Sequence, residues 1–205
     1  MLEIHNLACM RGDRLLFKQL HFRLDRGELL LVSGHNGSGK TSLLRMVCGL
    51  LAPAHGEIRW QGEPIQKQRD VFHAELTHIG HSPAVKEELT AVENLVFTCR
   101  FAGGDLGREQ AEEALGHMGL SRCLHLPVKS LSQGQRRRAA LARLLVSNSS
   151  LWVLDEPLVA LDHAAFRYVQ SIFKDHVERG GMVMLTTHQP LTLEGLAQRE
   201  LKLTD

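Results

Sequence analysis

Two bursts of alternating apolar and polar residues open the chain, "LEIHNL" from residue 2 and "LHFRL" ending at residue 24. A period of two turns one face of a strand inward, and "RGDR" between the bursts carries turn chemistry, so antiparallel strands are expected at the start. "LLLVS" at 29–33 is a short unbroken apolar run, the pattern of a buried strand. Leu43, Leu44, Val47, Leu50 and Leu51 then recur at helical spacing and predict an amphipathic helix that Gly49 and Pro53 help to end. Residues 82–146 lack β-branched runs, carry "REQAEEALGHMGL", and read as several helices. Strand-like runs return in "LWVLD" (151–155) and "MVMLTT" (182–187), separated by the helical stretch "HAAFRYVQSIFKDHVERG". Strand, helix, strand implies a parallel sheet with a helical lobe inserted in it.

Composition narrows the function classes. A chain of 205 residues supports one well-buried core and is short for two enzymatic domains. Lysine plus arginine (24) nearly cancels aspartate plus glutamate (23), so the whole chain offers no field for nucleic acid, and any membrane attachment is local. Cys9, Cys48, Cys99 and Cys123 lie far apart, which fits reduced thiols better than a disulfide framework or a zinc site. His73, His78 and His81 likewise match no zinc pattern. "MLEIHNL" has an early acid and no apolar core, so no signal peptide is expected. The apolar runs fall short of the roughly 18 residues that span a bilayer, so a soluble or peripheral protein is expected.

The chemistry begins at "GHNGSGKT", residues 34–41, where Gly34, Gly39, Lys40 and Thr41 fill every fixed position of G-x-x-x-x-G-K-[ST]. His35, Asn36, Gly37 and Ser38 complete the loop. It follows an expected strand and opens an expected helix, the context in which successive backbone N–H groups and a helix N-terminus cradle phosphates. One helix end supplies only about 0.3–1 kcal/mol against an exposed anion. Lys40 and a Mg²⁺ held by Thr41 must therefore carry much of the charge neutralisation. "LWVLDEP" places Asp155 and Glu156 at the end of a buried strand, where the first can reach the Mg²⁺ shell and the second can polarise an attacking water.

Together with "LSQGQ" at 131–135, "ALD" at 160–162 and "TTH" at 186–188, these motifs resemble the nucleotide-binding subunits of ABC (ATP-binding cassette) ATPases over nearly the whole chain. The resemblance implies an α/β P-loop NTPase fold. It comprises a RecA-like parallel-sheet core, an N-terminal antiparallel β-subdomain and an inserted α-helical subdomain. A single ABC ATPase domain over 1–205 is expected, with the nucleotide-binding core and β-subdomain at 1–81 and 147–205 and the helical signature lobe at 82–146. ATP and Mg²⁺ are the implied cofactors. In that family the signature acts across a homodimer, so Ser132, Gly134 and Gln135 would cover the phosphates bound by a neighbour's P-loop, with Asp162 nearby. A helix beginning just after "LSQGQ" makes that segment a second anion site of the same physical type. His188 occupies the family's switch position near the γ-phosphate.

Three positions depart from the family pattern. Where an aromatic residue usually stacks on adenine, the sequence offers Met10 and Arg11. Arg11 either stacks on the base through its planar guanidinium or is a turn residue in solvent. His81 stands where a glutamine is usual, which makes hydrolysis a candidate for pH sensitivity. Gln133 replaces the commoner glycine of the signature. Of the arginines that follow, Arg136 and Arg137 are expected on a solvated helix face, while Arg138 and Arg143 match basic positions after the family's signature.

Within the family, "LACMRGDRLLF", "GHSPAVKEELTAVENL" and "TTHQPL" look like the ATPase subunits of bacterial haem exporters in cytochrome c maturation. That likeness implies a peripheral protein at the cytoplasmic face of the inner membrane, held there only through integral membrane subunits of the CcmB and CcmC type. Residues 82–100 would contact those subunits, with Leu89, Val92 and Leu95 serving either that contact or the lobe's own core. The alternative is a soluble ABC ATPase, such as an iron–sulfur-cluster assembly factor.

Overall fold

A computed structural model of the chain describes residues 1–189, 191, 193 and 195–203. The proline of "TTHQPL" and the last two residues of the core expected to reach 205 lie outside the described residues. In chain order, β1 (Leu2–Arg11), β2 (Arg14–Leu24) and β3 (Glu28–Ser33) precede α1 (Lys40–Val47). Then come β4 (His55–Trp60), β5 (Glu63–Pro64), α2 (Arg69–Ala74) and β6 (Leu76–Ile79). Four helices follow: α3 (Ala91–Phe101), α4 (Arg108–His117), α5 (Gln133–Leu141) and α6 (Arg143–Val146). The chain closes with β7 (Leu151–Asp155), α7 (His163–Glu178), β8 (Met182–Thr186) and β9 (Ala197–Lys202).

The chain divides into two compact units. The first comprises Met1–His78, Ser149–Glu156 and Lys174–Asp205, and the second Ile79–Asn148 and Pro157–Phe173. The described residues form two sheets: antiparallel β2-β1-β4-β5, and a second in the order β6-β7-β8-β3-β9 whose β7–β8, β8–β3 and β3–β9 pairs are parallel. The expected opening hairpin and the parallel pairing of "LWVLD" with "MVMLT" are both present.

In the first unit the faces of both sheets pack on α1, through Leu2, Ile4, Leu43, Leu44, Val153 and Met184 among others. Every residue of β7 and β8 is buried, which is why both read as unbroken apolar runs. Register then sets the site. Val32 pairs with Thr186, and Thr186 with Asp155, so three strand ends meet in one row at the carboxyl edge of the sheet, where open parallel sheets bind ligands.

α1 is shorter than the spacing predicts. It stops at Val47 because Gly49 takes the left-handed conformation (φ 71°), its N–H bonds the Met46 carbonyl at 2.9 Å, and the Leu50 N–H bonds that of Arg45 at 2.8 Å. That closing pattern leaves Leu50 and Leu51 beyond the helix and exposed (64% and 37%).

In the second unit, Thr90 and Glu93 form a capping box that starts α3. The buried Asn94 amide binds the backbone of Lys86, Leu89 and Thr90. Val92 and Leu95 are buried in this unit and Leu89 is half-buried, whereas Phe97 and Phe101 on the same helix are exposed.

Arg137 corrects the expected solvated face. It is only 4% exposed and donates to the carbonyls of Pro157 (3.1 Å), Gly80 (2.9 Å) and His81 (3.4 Å). Arg136 lies nearer the surface, pairing with Glu87 and binding the Leu131 and Lys129 carbonyls. The two differ in what they reach: Arg137 extends to the carbonyls of Pro157 and Gly80, whereas Arg136 binds the nearby Leu131 and Lys129 carbonyls and the exposed Glu87.

Candidate functional site

The loop after β3 turns on Gly39, the residue before α1, whose φ of 98° is left-handed. A side chain there would also press on the Phe17 ring and Leu16, with a Cβ only 3.0 Å from the ring. No side chain caps the start of α1 and its first turn holds no acid, so its leading N–H groups face no competing carboxylate of their own helix. The Lys40 ammonium, itself nearly buried, donates to the loop's own carbonyls, Gly34 at 2.7 Å and His35 at 3.1 Å. Ser38 is buried beneath the loop, while His35, Asn36 and Gly37 are exposed. The ammonium is thus held against the loop backbone by carbonyls that phosphate oxygens can replace, at the start of a helix whose leading N–H groups are uncapped by side chains.

At the foot of this loop the Thr41 hydroxyl donates to Asp155 Oδ2 at 2.8 Å. Hydroxyl and carboxylate oxygen side by side are hard ligands of the kind Mg²⁺ takes alongside phosphates and water, so these residues fit that ion. Asp155 Oδ1 accepts from the Thr186 hydroxyl at 2.8 Å. Next in the chain, Glu156 adopts φ 51°, an uncommon left-handed conformation for a residue with a side chain, and its N–H donates to the same Thr186 hydroxyl at 2.9 Å. The buried Glu156 carboxylate lies 3.4 Å from Nε2 of His188, whose own side chain is largely exposed. Strained backbone at a carboxylate beside a phosphate loop is what a reacting centre shows.

The structure thus gathers Gly34–Thr41, Asp155, Glu156 and His188 within the first unit. Arg11 belongs to that unit too, exposed at the end of β1. In the second unit Ser132 caps α5: its Oγ accepts from the Gln135 N–H at 3.2 Å, and the Gln135 side chain accepts from the Ser132 N–H at 2.8 Å. The hydroxyl proton remains available to a ligand. Gly134 backs onto residue 160, where a Cβ would lie 2.6 Å from the Ala160 carbonyl oxygen. Asp162 caps α7, accepting from the Ala165 N–H at 2.8 Å, and His81 is exposed in the second unit. Sequence reasoning passed over Thr186 and misread Arg137. For Thr186 the sequence held only a threonine ending an otherwise apolar strand, with nothing local to mark Asp155 as its partner.

A sheet whose carboxyl edge carries a phosphate loop, a hydroxyl–carboxylate pair and a second carboxylate defines a P-loop NTPase, and the family model "ABC transporter" matches residues 17–159. The chain belongs to the ABC transporter family, as an ATP-binding subunit. It is 51% identical to the cytochrome c biogenesis ATP-binding export protein CcmA of Nitrosospira multiformis, over 99% of this chain and 98% of that one. Among solved structures, a putative ABC transporter ATP-binding protein from Pyrococcus furiosus superposes with a TM-score of 0.83 at 25% identity, covering 98% of this chain and 96% of that one. An ATP-binding cassette captured as a dimer with ADP and phosphate after hydrolysis shares the fold at a TM-score of 0.81 and 24% identity, over 92% of this chain and 88% of its own.

Proposed function

We propose that the chain is the ATP-hydrolysing subunit of a haem exporter in cytochrome c biogenesis. It works as a homodimer beneath integral membrane subunits of the CcmB and CcmC type, at the cytoplasmic face of the bacterial inner membrane. The observation that carries this reading is the contact of Thr41 with Asp155 at the foot of the phosphate loop, with Glu156 and His188 beside it. The full-length likeness to CcmA export proteins supplies the biological setting.

The backbone N–H groups of 34–41 and the Lys40 ammonium hold the β- and γ-phosphates, exchanging loop carbonyls for phosphate oxygens. Thr41 and Asp155 would hold Mg²⁺, which neutralises phosphate charge. Glu156 polarises the water that attacks the γ-phosphorus, and ADP leaves as its bond to that phosphorus breaks. His188 orients the Glu156 carboxylate and reaches toward the γ-phosphate. Arg11 holds the position where the family's aromatic residue stacks on the base, and His81 the position of the glutamine that meets water at the γ-phosphate. Ser132, Gly134 and Gln135 of one protomer cover the open face of the phosphates held by the other, with Asp162 at the same seam. Completing a site from a second protein is worth about 10³–10⁵ in rate where an arginine finger does so, which sets the scale of control that dimerisation offers.

The test is reconstitution. ATPase activity that rises when the chain is assembled with its membrane subunits, and a Glu156→Gln protein that dimerises at saturating Mg²⁺–ATP, would support the reading. Full activity in the soluble fraction, indifferent to membrane subunits, would favour a soluble ABC ATPase such as an iron–sulfur-cluster assembly factor.

A further inference from the structure

We propose that Thr186 is a positioning residue for hydrolysis, its single buried hydroxyl setting both the Asp155 carboxylate and the backbone of Glu156. The inference rests on the assignment of those two carboxylates to Mg²⁺–ATP chemistry. β8 is otherwise Met182, Val183, Met184 and Leu185, all buried, and Thr186 is 0% exposed. A valine would fill the same volume at this strand end with no polar atom to desolvate. A buried hydroxyl is unfavourable unless its bonding capacity is used. Here it is used twice, in donation to Asp155 Oδ1 at 2.8 Å and in acceptance from the Glu156 N–H at 2.9 Å.

Both contacts bear on function. Asp155 is gripped from two sides, by Thr186 on Oδ1 and by Thr41 on Oδ2, which fixes the plane of the carboxylate. The second contact anchors the peptide N–H of a residue at φ 51°, so the left-handed turn that aims Glu156 hangs on the same oxygen. Parallel register places that oxygen directly: Thr186 is the strand partner of Asp155. One hydroxyl therefore couples the orientation of the metal-binding carboxylate to that of the water-polarising one. Supporting partners of metal ligands are typically worth about 10- to 100-fold in metal affinity or activity.

Thr186→Val, Thr186→Ser and Thr186→Cys are compared in the complex with its membrane subunits. Fluorescent ATP binding is titrated with and without Mg²⁺, alongside kcat and KM. The expected result for Thr186→Val is a kcat lowered about 10- to 100-fold at little-changed KM. Mg²⁺-free nucleotide binding stays as in the wild type, and the Mg²⁺ concentration for half-maximal effect rises. Thr186→Ser, which keeps the hydroxyl, restores most of the loss. Wild-type Mg²⁺ dependence and turnover in Thr186→Val, or equal damage in the serine variant, would overturn the proposal. Should the valine variant fail to fold, the cysteine variant, of serine's shape but with only a weakly hydrogen-bonding thiol, decides by the same readouts when set against Thr186→Ser. A wild-type complex that binds Mg²⁺–ATP without hydrolysing it would instead refute the hydrolytic reading, and the binding titrations would still decide on Thr186.

Discussion

Replacing Arg137 by methionine keeps an unbranched apolar stem and removes the charge and the fork of donors. Arg137 is 4% exposed and binds the carbonyls of Pro157 at 3.1 Å and Gly80 at 2.9 Å, with a longer contact to His81 at 3.4 Å. Charge-assisted hydrogen bonds contribute about 1.5–3 kcal/mol each, and their loss here strands the carbonyl of the buried Pro157. Two good bonds and one weak one place the expected loss at about 3–5 kcal/mol. For a chain of this size each kcal/mol shifts the melting temperature by about 2–4 °C, so a fall of about 6–20 °C is expected by calorimetry. Arg137→Lys should recover less than half, because one ammonium cannot reproduce the planar fork that serves Pro157 and Gly80 together. Pro157 follows Glu156 directly, so kcat should fall as well at temperatures where the variant is folded. A methionine variant melting within about 2 °C of the wild type, well under the smallest fall those bonds allow, would refute this account of the residue.

Glu156→Gln should lower kcat by about 10²- to 10⁴-fold, the usual worth of a positioned general base, while nucleotide binding persists; Lys40→Ala should abolish binding in the same fluorescence titration. Gly134→Ala drives a Cβ against the Ala160 carbonyl, so ATPase activity of the assembled complex should fall while ATP binding by the single chain is unchanged. Burial pushes the His176 pKa down from 6.5 to about 4. The folded chain therefore holds this ring neutral where the unfolded chain protonates it, so the stability it contributes is fully present above about pH 6.5 and lost as pH falls towards 4. Urea midpoints at pH 7.5 and 4.5 should differ more in the wild type than in His176→Gln. If Arg11 stacks on the base, Arg11→Ala should weaken ATP and GTP binding alike, since a guanidinium plane does not distinguish purines by hydrogen bonding; equal wild-type and variant affinities would return Arg11 to a turn role.

The parts of this site that were legible in the sequence are those where chemistry restricts the residue itself. A left-handed backbone against Phe17 requires glycine at 39, a phosphate cradle requires Lys40, and a carboxylate at the end of an apolar strand stands out as Asp155 does. Strands β4 and β9 gave little signal. β4 offers only Ile58 and Trp60 as apolar residues, and β9 at the edge offers Leu201. Both are recruited by neighbours far away in the chain: β1 pairs with β4, and β3 with β9. Short-range periodicity cannot report such pairing.

Thr186 and Arg137 were hidden for a different reason, since each looks ordinary until its partners are known. Threonine is a common strand residue, and one arginine among three reads as surface. What distinguishes them is a buried polar group with its hydrogen bonds complete, and those bonds reach across 31 residues to Asp155 in one case and 57 to Gly80 in the other. Within the first unit Thr186 binds Asp155 and Glu156, and within the second Arg137 binds the carbonyl of Pro157. The carboxylates themselves can be read from a motif. The polar side chains buried nearby in each unit, Thr186 in the first and Arg137 in the second, answer to three-dimensional packing and carry no local pattern of their own.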